Sequence, residues 1–178
     1  MMSVIERTPR IETRRLALRA PSFTDAGRIA GLANDFEIAR MTTRLPHPYT
    51  RGDAGAFLAR MAALDYRCEA VFVIEHEDQG PVGLIGMHPT GSFGPEIGYW
   101  LGRAYWGRGY ATEATCGLLS WIKTARRAKA VISGHFEDNP ASGRVLTKAG
   151  FLYTGVIEPR FSTARREVVK TRMMVWIA

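Results

Sequence analysis

The sequence predicts an α/β fold of the α+β kind, with helices packed on one central sheet. Three observations predict it. Short β-branched and aromatic runs recur along the chain and are separated by segments of helical period. Two capping-box spacings, Ser22 to Asp25 and Thr50 to Asp53, each precede apolar residues at helical intervals. The connecting segments are short, and no internal repeat or low-complexity tract is present. The 178 residues, 46% hydrophobic and 23% charged, suit a single domain over 1–178 with one sizeable core.

In chain order, Leu16-Ala17-Leu18-Arg19 reads as the first strand, and Ser22 opens a helical region over about 23–40 carrying Ile29, Leu32, Ala33 and Phe36. Pro46 and Pro48 break the chain before a second helix with Ala54, Phe57, Leu58, Met61 and Leu64 on one face. Strands at 70–75 and 81–88 flank Asp78-Gln79-Gly80, the turn of an antiparallel hairpin. A further strand, Glu96-Ile97-Gly98-Tyr99-Trp100-Leu101, runs into a glycine-containing loop. The helix that follows carries Ala111, Ala114, Thr115, Leu118, Leu119, Ile122 and Ala125. After a strand at 130–133, Asn139-Pro140 supplies an N-cap and first helical residue, and Gly150 stops that helix. Strands at about 151–158 and 168–177 close the chain.

Gly107 and Gly109 stand between a strand and a helix start, where backbone N–H groups can approach a ligand and the helix dipole favours negative charge. A phosphate or pyrophosphate is the expected guest; a tight turn without a ligand is the other reading. Neither the Walker loop nor the dinucleotide fingerprint fits the spacing.

The stretch Trp106-Gly107-Arg108-Gly109-Tyr110-Ala111 resembles the acyl-CoA signature of the GNAT superfamily of N-acetyltransferases, with Trp106 in place of the leading Gln or Arg. Together with the strand 96–101, the first strand Thr13-Arg14-Arg15-Leu16-Ala17-Leu18-Arg19, Asn139-Pro140-Ala141-Ser142 and Lys148-Ala149-Gly150-Phe151, it resembles the branch of ribosomal-protein N-terminal (Rim-type) acetyltransferases. The resemblance covers nearly the whole chain in order. It implies a mixed, mostly antiparallel sheet of about seven strands, helices on both faces and a splayed strand pair holding acetyl-CoA, with no metal.

It also implies roles. The pantetheine arm pairs with the backbone of Tyr99, Trp100 and Leu101 as an added strand. The pyrophosphate lies on the N–H groups of Gly107, Arg108, Gly109, Tyr110, Ala111 and Thr112. Asn139 binds the cofactor, although its side chain is equally suited to capping a helix. Ser142, one turn later on the same face, serves the departing thiolate as donor or relay. Other members use a tyrosine where this chain has Leu146, and another subgroup takes its base from the position of Gly134. Glu96 is the candidate general base, direct or through water; its other reading is a strand-edge glutamate in solvent or paired with an arginine. The implied reaction is direct attack of a neutral amine on the thioester, without an acyl-enzyme. A peptide N-terminus is the favoured acceptor and a small-molecule amine the other; loops at about 34–50 and 157–168 are where it should bind. A non-catalytic acyl-CoA-binding module is the alternative function.

The remaining features are read more plainly. Cys68 and Cys116 lack metal or disulfide spacing and are expected as reduced core thiols. His88 and His135 are expected to be packing or surface residues, and Phe72, Phe93, Tyr105, Phe136, Phe151 and Phe161 to be core or pocket wall. The net charge of +7 is spread along the chain, so nucleic acid is not indicated. No apolar run approaches the roughly 20 residues of a membrane span, and 1–7 lacks a secretory apolar stretch; a cytoplasmic location is expected. Homodimers are common among related enzymes, and no residue pattern here fixes the oligomeric state.

Overall fold

A computed structural model describes residues 9–66, 68–91 and 94–178. Phe93 and the 1–7 segment lie outside the described residues.

Eight strands form one sheet: β1 (Ile11–Glu12), β2 (Leu16–Arg19), β3 (Ala70–His76), β4 (Gly80–His88), β5 (Glu96–Leu101), β6 (Ala130–Phe136), β7 (Leu152–Ser162) and β8 (Glu167–Ile177). The order across the sheet is β1-β2-β3-β4-β5-β6-β8-β7, and every neighbouring pair is antiparallel except β5 and β6. The strand beyond the expected seven is β1, whose two residues are too few to show a period. The β3–β4 hairpin turns where expected, with Gly80 at a φ of 65°. The last hairpin is longer than expected and reverses through Arg166, at a φ of 56°.

The helices are α1 (Ala26–Ala33), α2 (Phe36–Ala39), α3 (Arg51–Ala62), α4 (Tyr110–Trp121) and α5 (Pro140–Lys148). The helical region expected over 23–40 is in fact a 3-10 turn followed by α1 and α2, interrupted at Asn34 and Asp35. Asn34 Oδ1 accepts the backbone N–H of Tyr49 at 3.0 Å, and Asp35 Oδ1 accepts that of Glu37 at 3.0 Å. These two short polar side chains offer the backbone other partners and so start a new helix. At α3 the capping box is reciprocal: Thr50 N donates to Asp53 Oδ2 at 2.8 Å and Asp53 N to Thr50 Oγ1 at 3.2 Å. A five-residue π turn, Ile122–Arg126, extends α4.

Strand alternation gives each face of the sheet its own core. Ala70, Phe72 and Ile74 of β3 join Leu118, Leu119, Ile122 and Leu146 beneath α4 and α5, while Val73 and Leu84 join Ile29, Ala33, Ala54 and Leu58 beneath α1 and α3. Two expectations about packing are corrected. Cys68 and Cys116 are exposed, because Cys68 precedes β3 in a turn and Cys116 points away from the buried α4 face of Ala114, Thr115, Leu118 and Leu119. Phe161 is 56% exposed on the terminal hairpin, whereas Phe72, Phe136 and Phe151 are buried as expected.

Candidate functional site

The parallel strands β5 and β6 touch at one register pair, Glu96 with Ile132, and then diverge. Ile132 N donates to Pro95 O at 3.0 Å and Ser133 Oγ to Ile97 O at 3.0 Å; beyond that point the β6 side of β5 has no ladder. The divergence opens a cleft of about 1070 Å³ that takes in the β5 residues Tyr99, Trp100 and Leu101, the start of α4, and the start of α5. Along β5, Tyr99 packs toward the α4–α5 core and Trp100 toward the α1–α3 core.

At one end stands the glycine loop. Gly107 and Gly109 have φ values of 73° and 81°, a region that costs other residues roughly 1–2 kcal/mol. A Cβ at Gly107 would meet nothing within 4 Å, so the space beside it is open. Gly109 is the N-cap of α4 and brings no side chain, which leaves the first-turn N–H groups available to an anion. Side chains set the loop itself. Trp106 Nε1 donates to Leu101 O at 2.8 Å, tying the loop to the end of β5. Arg15 Nη1 donates to Arg108 O at 3.1 Å, and its guanidinium lies 4.7 Å from the centre of the Tyr110 ring. Glu113 holds Arg15 through Nε at 2.8 Å and through its backbone N–H at 2.6 Å, and also accepts Thr13 Oγ1 at 2.8 Å. Burial pushes the Glu113 carboxyl up, but hydrogen bonds from Thr13 and Arg15 outweigh it and hold the group below the ordinary carboxylate value. Gly107, Gly109, Tyr110, Ala111 and Thr112 line the cleft; the Arg108 side chain is exposed and lies outside that lining, its guanidinium 6.0 Å from the Tyr105 ring centre.

The other wall is α5. Asn139 Oδ1 accepts the backbone N–H of Ser142 at 3.1 Å, so the side chain caps the helix and its amide nitrogen is left over on the cleft side. Ser142 Oγ and the Tyr99 hydroxyl share a hydrogen bond of 2.8 Å across the cleft. Burial pushes the Tyr99 phenol far above its ordinary value, so it stays protonated. Leu146 is fully buried in the core. A Cβ at Gly134 would lie 2.8 Å from Thr171 Cγ2 and 2.9 Å from Met173 Sδ, so a side chain there would require those neighbours to shift.

At the closed end of the splay, Glu96 is 8% exposed and gripped by Arg160, whose Nη1 meets Oε1 and whose Nη2 meets Oε2 at 3.1 Å. The arginine-paired reading of Glu96 is thus the one observed. Arg160 also holds Glu158 at 3.0 Å. His88, opposite Glu96 in the β4–β5 ladder, places Nε2 3.8 Å from Glu96 Oε2 and lines the cleft. His135 is a packing residue as expected: it is buried between Phe136 O, 2.8 Å from Nδ1, and the Tyr153 hydroxyl, 3.0 Å from Nε2.

The two loops expected to receive the acceptor are stitched together. Thr163 N and Oγ1 donate to Thr43 O at 3.1 and 2.8 Å, Ser162 Oγ to Thr42 O at 3.1 Å, and Arg165 Nε to Arg40 O at 2.6 Å. Asp138, held below the ordinary value first by its hydrogen bond from Arg165, joins them to the lead of α5.

Trp106, Arg15, Glu113, Arg160 and the Tyr99 hydroxyl had no assigned side-chain role in the sequence. The one readable signal was Thr13-Arg14-Arg15, inside a segment that carries the family resemblance. Arg160 is 64 positions from Glu96, and no spacing announces such a pair.

The residues suit the ligand the resemblance implies: open space at Gly107, an uncapped α4 and an unladdered β5 offer a phosphate site and a strand-like arm site on one continuous surface. Comparison with known proteins agrees. The model of the acetyltransferase (GNAT) domain matches residues 15–152. The uncharacterized N-acetyltransferase YoaA of Bacillus subtilis is 30% identical over 153 residues, 84% of this chain and 86% of that protein. Among solved structures, a GNAT-family acetyltransferase from Bacillus anthracis superposes with a TM-score of 0.83 at 20% identity, covering 95% of this chain and 98% of that one. RimJ of Mycobacterium smegmatis, solved with a CoA disulfide, gives 0.82 at 19% identity, covering 96% and 88%. The chain therefore belongs to the GNAT acetyltransferase family.

Proposed function

We propose that this chain, as one domain over 1–178, transfers an acetyl group from acetyl-CoA to a primary amine, with a peptide or protein N-terminus as the favoured acceptor. The observation that carries the reading is the divergence of β5 and β6 from a single bridge, which opens one cleft onto both the α4 glycine loop and the α5 start. Acetyl-CoA supplies an activated acyl thioester. The N–H groups of Gly107 to Thr112 hold its pyrophosphate, Tyr99 to Leu101 offer backbone to its arm, and the Asn139 amide nitrogen reaches it from α5. Ser142, hydrogen-bonded to a Tyr99 phenol that stays protonated, is the donor to the departing sulfur. Glu96 provides the negative charge at the base end.

Acceptor preference follows from amine acidity. An α-amine of pKa about 8 is about one-tenth neutral at pH 7, whereas a lysine of about 10.4 costs about 3 kcal/mol more to deprotonate. A cleft whose basic groups are a carboxylate and an imidazole suits the former. A panel of peptide N-termini, N-acetylated lysine peptides and polyamines, read by mass spectrometry with thiol release, tests this. The expected outcome is fastest acetylation of free N-termini. Preference for lysine or polyamine nitrogens would move the acceptor class, and binding of acetyl-CoA without any acetylated product would replace the transferase by a sensor.

A further inference from the structure

We infer that the imidazole of His88 accepts the proton from the acceptor amine, with Glu96 and Arg160 as the positioning pair behind it; this rests on the acetyl-transfer reading above. Both Glu96 oxygens are engaged by one guanidinium, so that carboxylate is poorly placed to reach a substrate nitrogen as well. Across the ladder, His88 makes no hydrogen bond to its side chain among the described residues. Its side chain is 29% exposed, and it lines the cleft that Tyr99 and Ser142 also line. The imidazole thus lines the cleft with no hydrogen-bond partner among the described residues.

Four charged groups face it: Glu96 from β5, Arg160 from β7, Glu69 just ahead of β3, and Arg44 from the loop between α2 and α3. Burial and then Arg44 push the imidazole below its ordinary value of 6.5, against the opposing pull of Glu96 and Glu69. A neutral imidazole at pH 7 is the form able to take a proton. Position 134 is a glycine and offers no carboxylate of its own.

The protons balance. A protonated amine gives one proton to His88; its freed lone pair forms the C–N bond at the acetyl carbon as the C–S bond breaks, the electron pair leaving on sulfur. The thiolate takes a proton from Ser142, replenished through Tyr99 and solvent, while the nitrogen's second proton goes to solvent and His88 releases its own. The sum is amide, thiol and one free proton.

His88→Gln is the test, with the kcat–pH profile and acetyl-CoA affinity measured together on the full chain, and NMR titration of the four histidines as a readout independent of turnover. The expected result is a kcat lower by about 100-fold or more, loss of the acid limb that wild type shows below pH 6.5, and an acetyl-CoA Kd within about threefold of wild type, the scale on which uniform binding is conserved. In the NMR titration the signal absent from His88→Gln should titrate below 6.5 and fall further in Glu96→Gln. If wild type is active and His88→Gln keeps both kcat and the acid limb, the assignment is overturned alone. A wild type that acetylates no amine overturns the transferase reading and this assignment with it.

Discussion

Ser142 alone is a weak donor for a thiolate whose conjugate acid has a pKa near 8.5. Its setting changes that: the Tyr99 phenol, kept protonated by burial, hydrogen-bonds the same oxygen at 2.8 Å. Tyr99 brings its phenol to the cleft from β5, whereas Leu146 on α5 is buried in the core. Ser142→Ala should lower kcat by about 10- to 100-fold, the worth of one hydrogen bond to a charged group, while acetyl-CoA binds as before. Unchanged turnover would remove Ser142 from the chemistry. At this scale the sequence was legible where backbone conformation decides, as at the left-handed Gly107 and Gly109, or where a near neighbour does, as in the cap of Asn139 on Ser142. It was not legible where the partner is set by topology: Tyr99 lies 43 positions from Ser142, and Arg160 lies 64 from Glu96.

Elements declare themselves through their ends. The α3 capping box, the β3–β4 turn and the Asn139-Pro140 start of α5 all form where the sequence places them, because each is a local hydrogen-bonding solution. The break between α1 and α2 has no Gly or Pro to announce it and depends on Asn34 meeting Tyr49, a contact that exists only after folding. Two buried or half-buried carboxylates pin elements to one another. Glu113 fixes the segment ahead of β2 to α4, and Asp25 fixes the start of the helical region to Arg19 of β2, at 2.8 and 2.9 Å. In both, burial raises the carboxyl and the hydrogen bonds more than offset it, leaving the folded-state value below the ordinary 4.5 and 3.8. A folded value below the unfolded one stabilises the native state above the unfolded pKa, and that stabilisation is lost as pH falls through the folded one. The thermal midpoint should therefore hold above about pH 5 and drop progressively below about pH 4.5. In Glu113→Gln the acid-dependent part of the drop should shrink; an identical slope in that variant would show that Glu113 carries none of it.

For the whole molecule, the divergence of one strand pair opens the candidate site. Antiparallel pairing runs unbroken from β1 to β5, and the lone parallel neighbour, β6, departs after one bridge. Separate cores hold the α4–α5 face and the α1–α3 face, so the cleft between β5 and β6 stays open without unravelling the sheet. Seven of the eight strands, the order of the helices and the glycine loop were readable as patterns of period and punctuation. The splay was anticipated only through family resemblance, since nothing in the residues of β5 or β6 alone says where their pairing ends. That splay, with the loop at its mouth, is the basis for reading the cleft as the acetyl-CoA site. Calorimetric titration of acetyl-CoA into wild type and Gly109→Val, with thermal midpoints recorded for both, tests this most directly. At Gly109, with φ at 81°, valine strains the loop by about 1–2 kcal/mol. The account predicts saturable binding by wild type and roughly tenfold weaker binding or more by a folded variant. Absence of binding to wild type at about 1 mM acetyl-CoA, the upper end of ordinary substrate affinities, or equal affinity in a folded Gly109→Val, would contradict it.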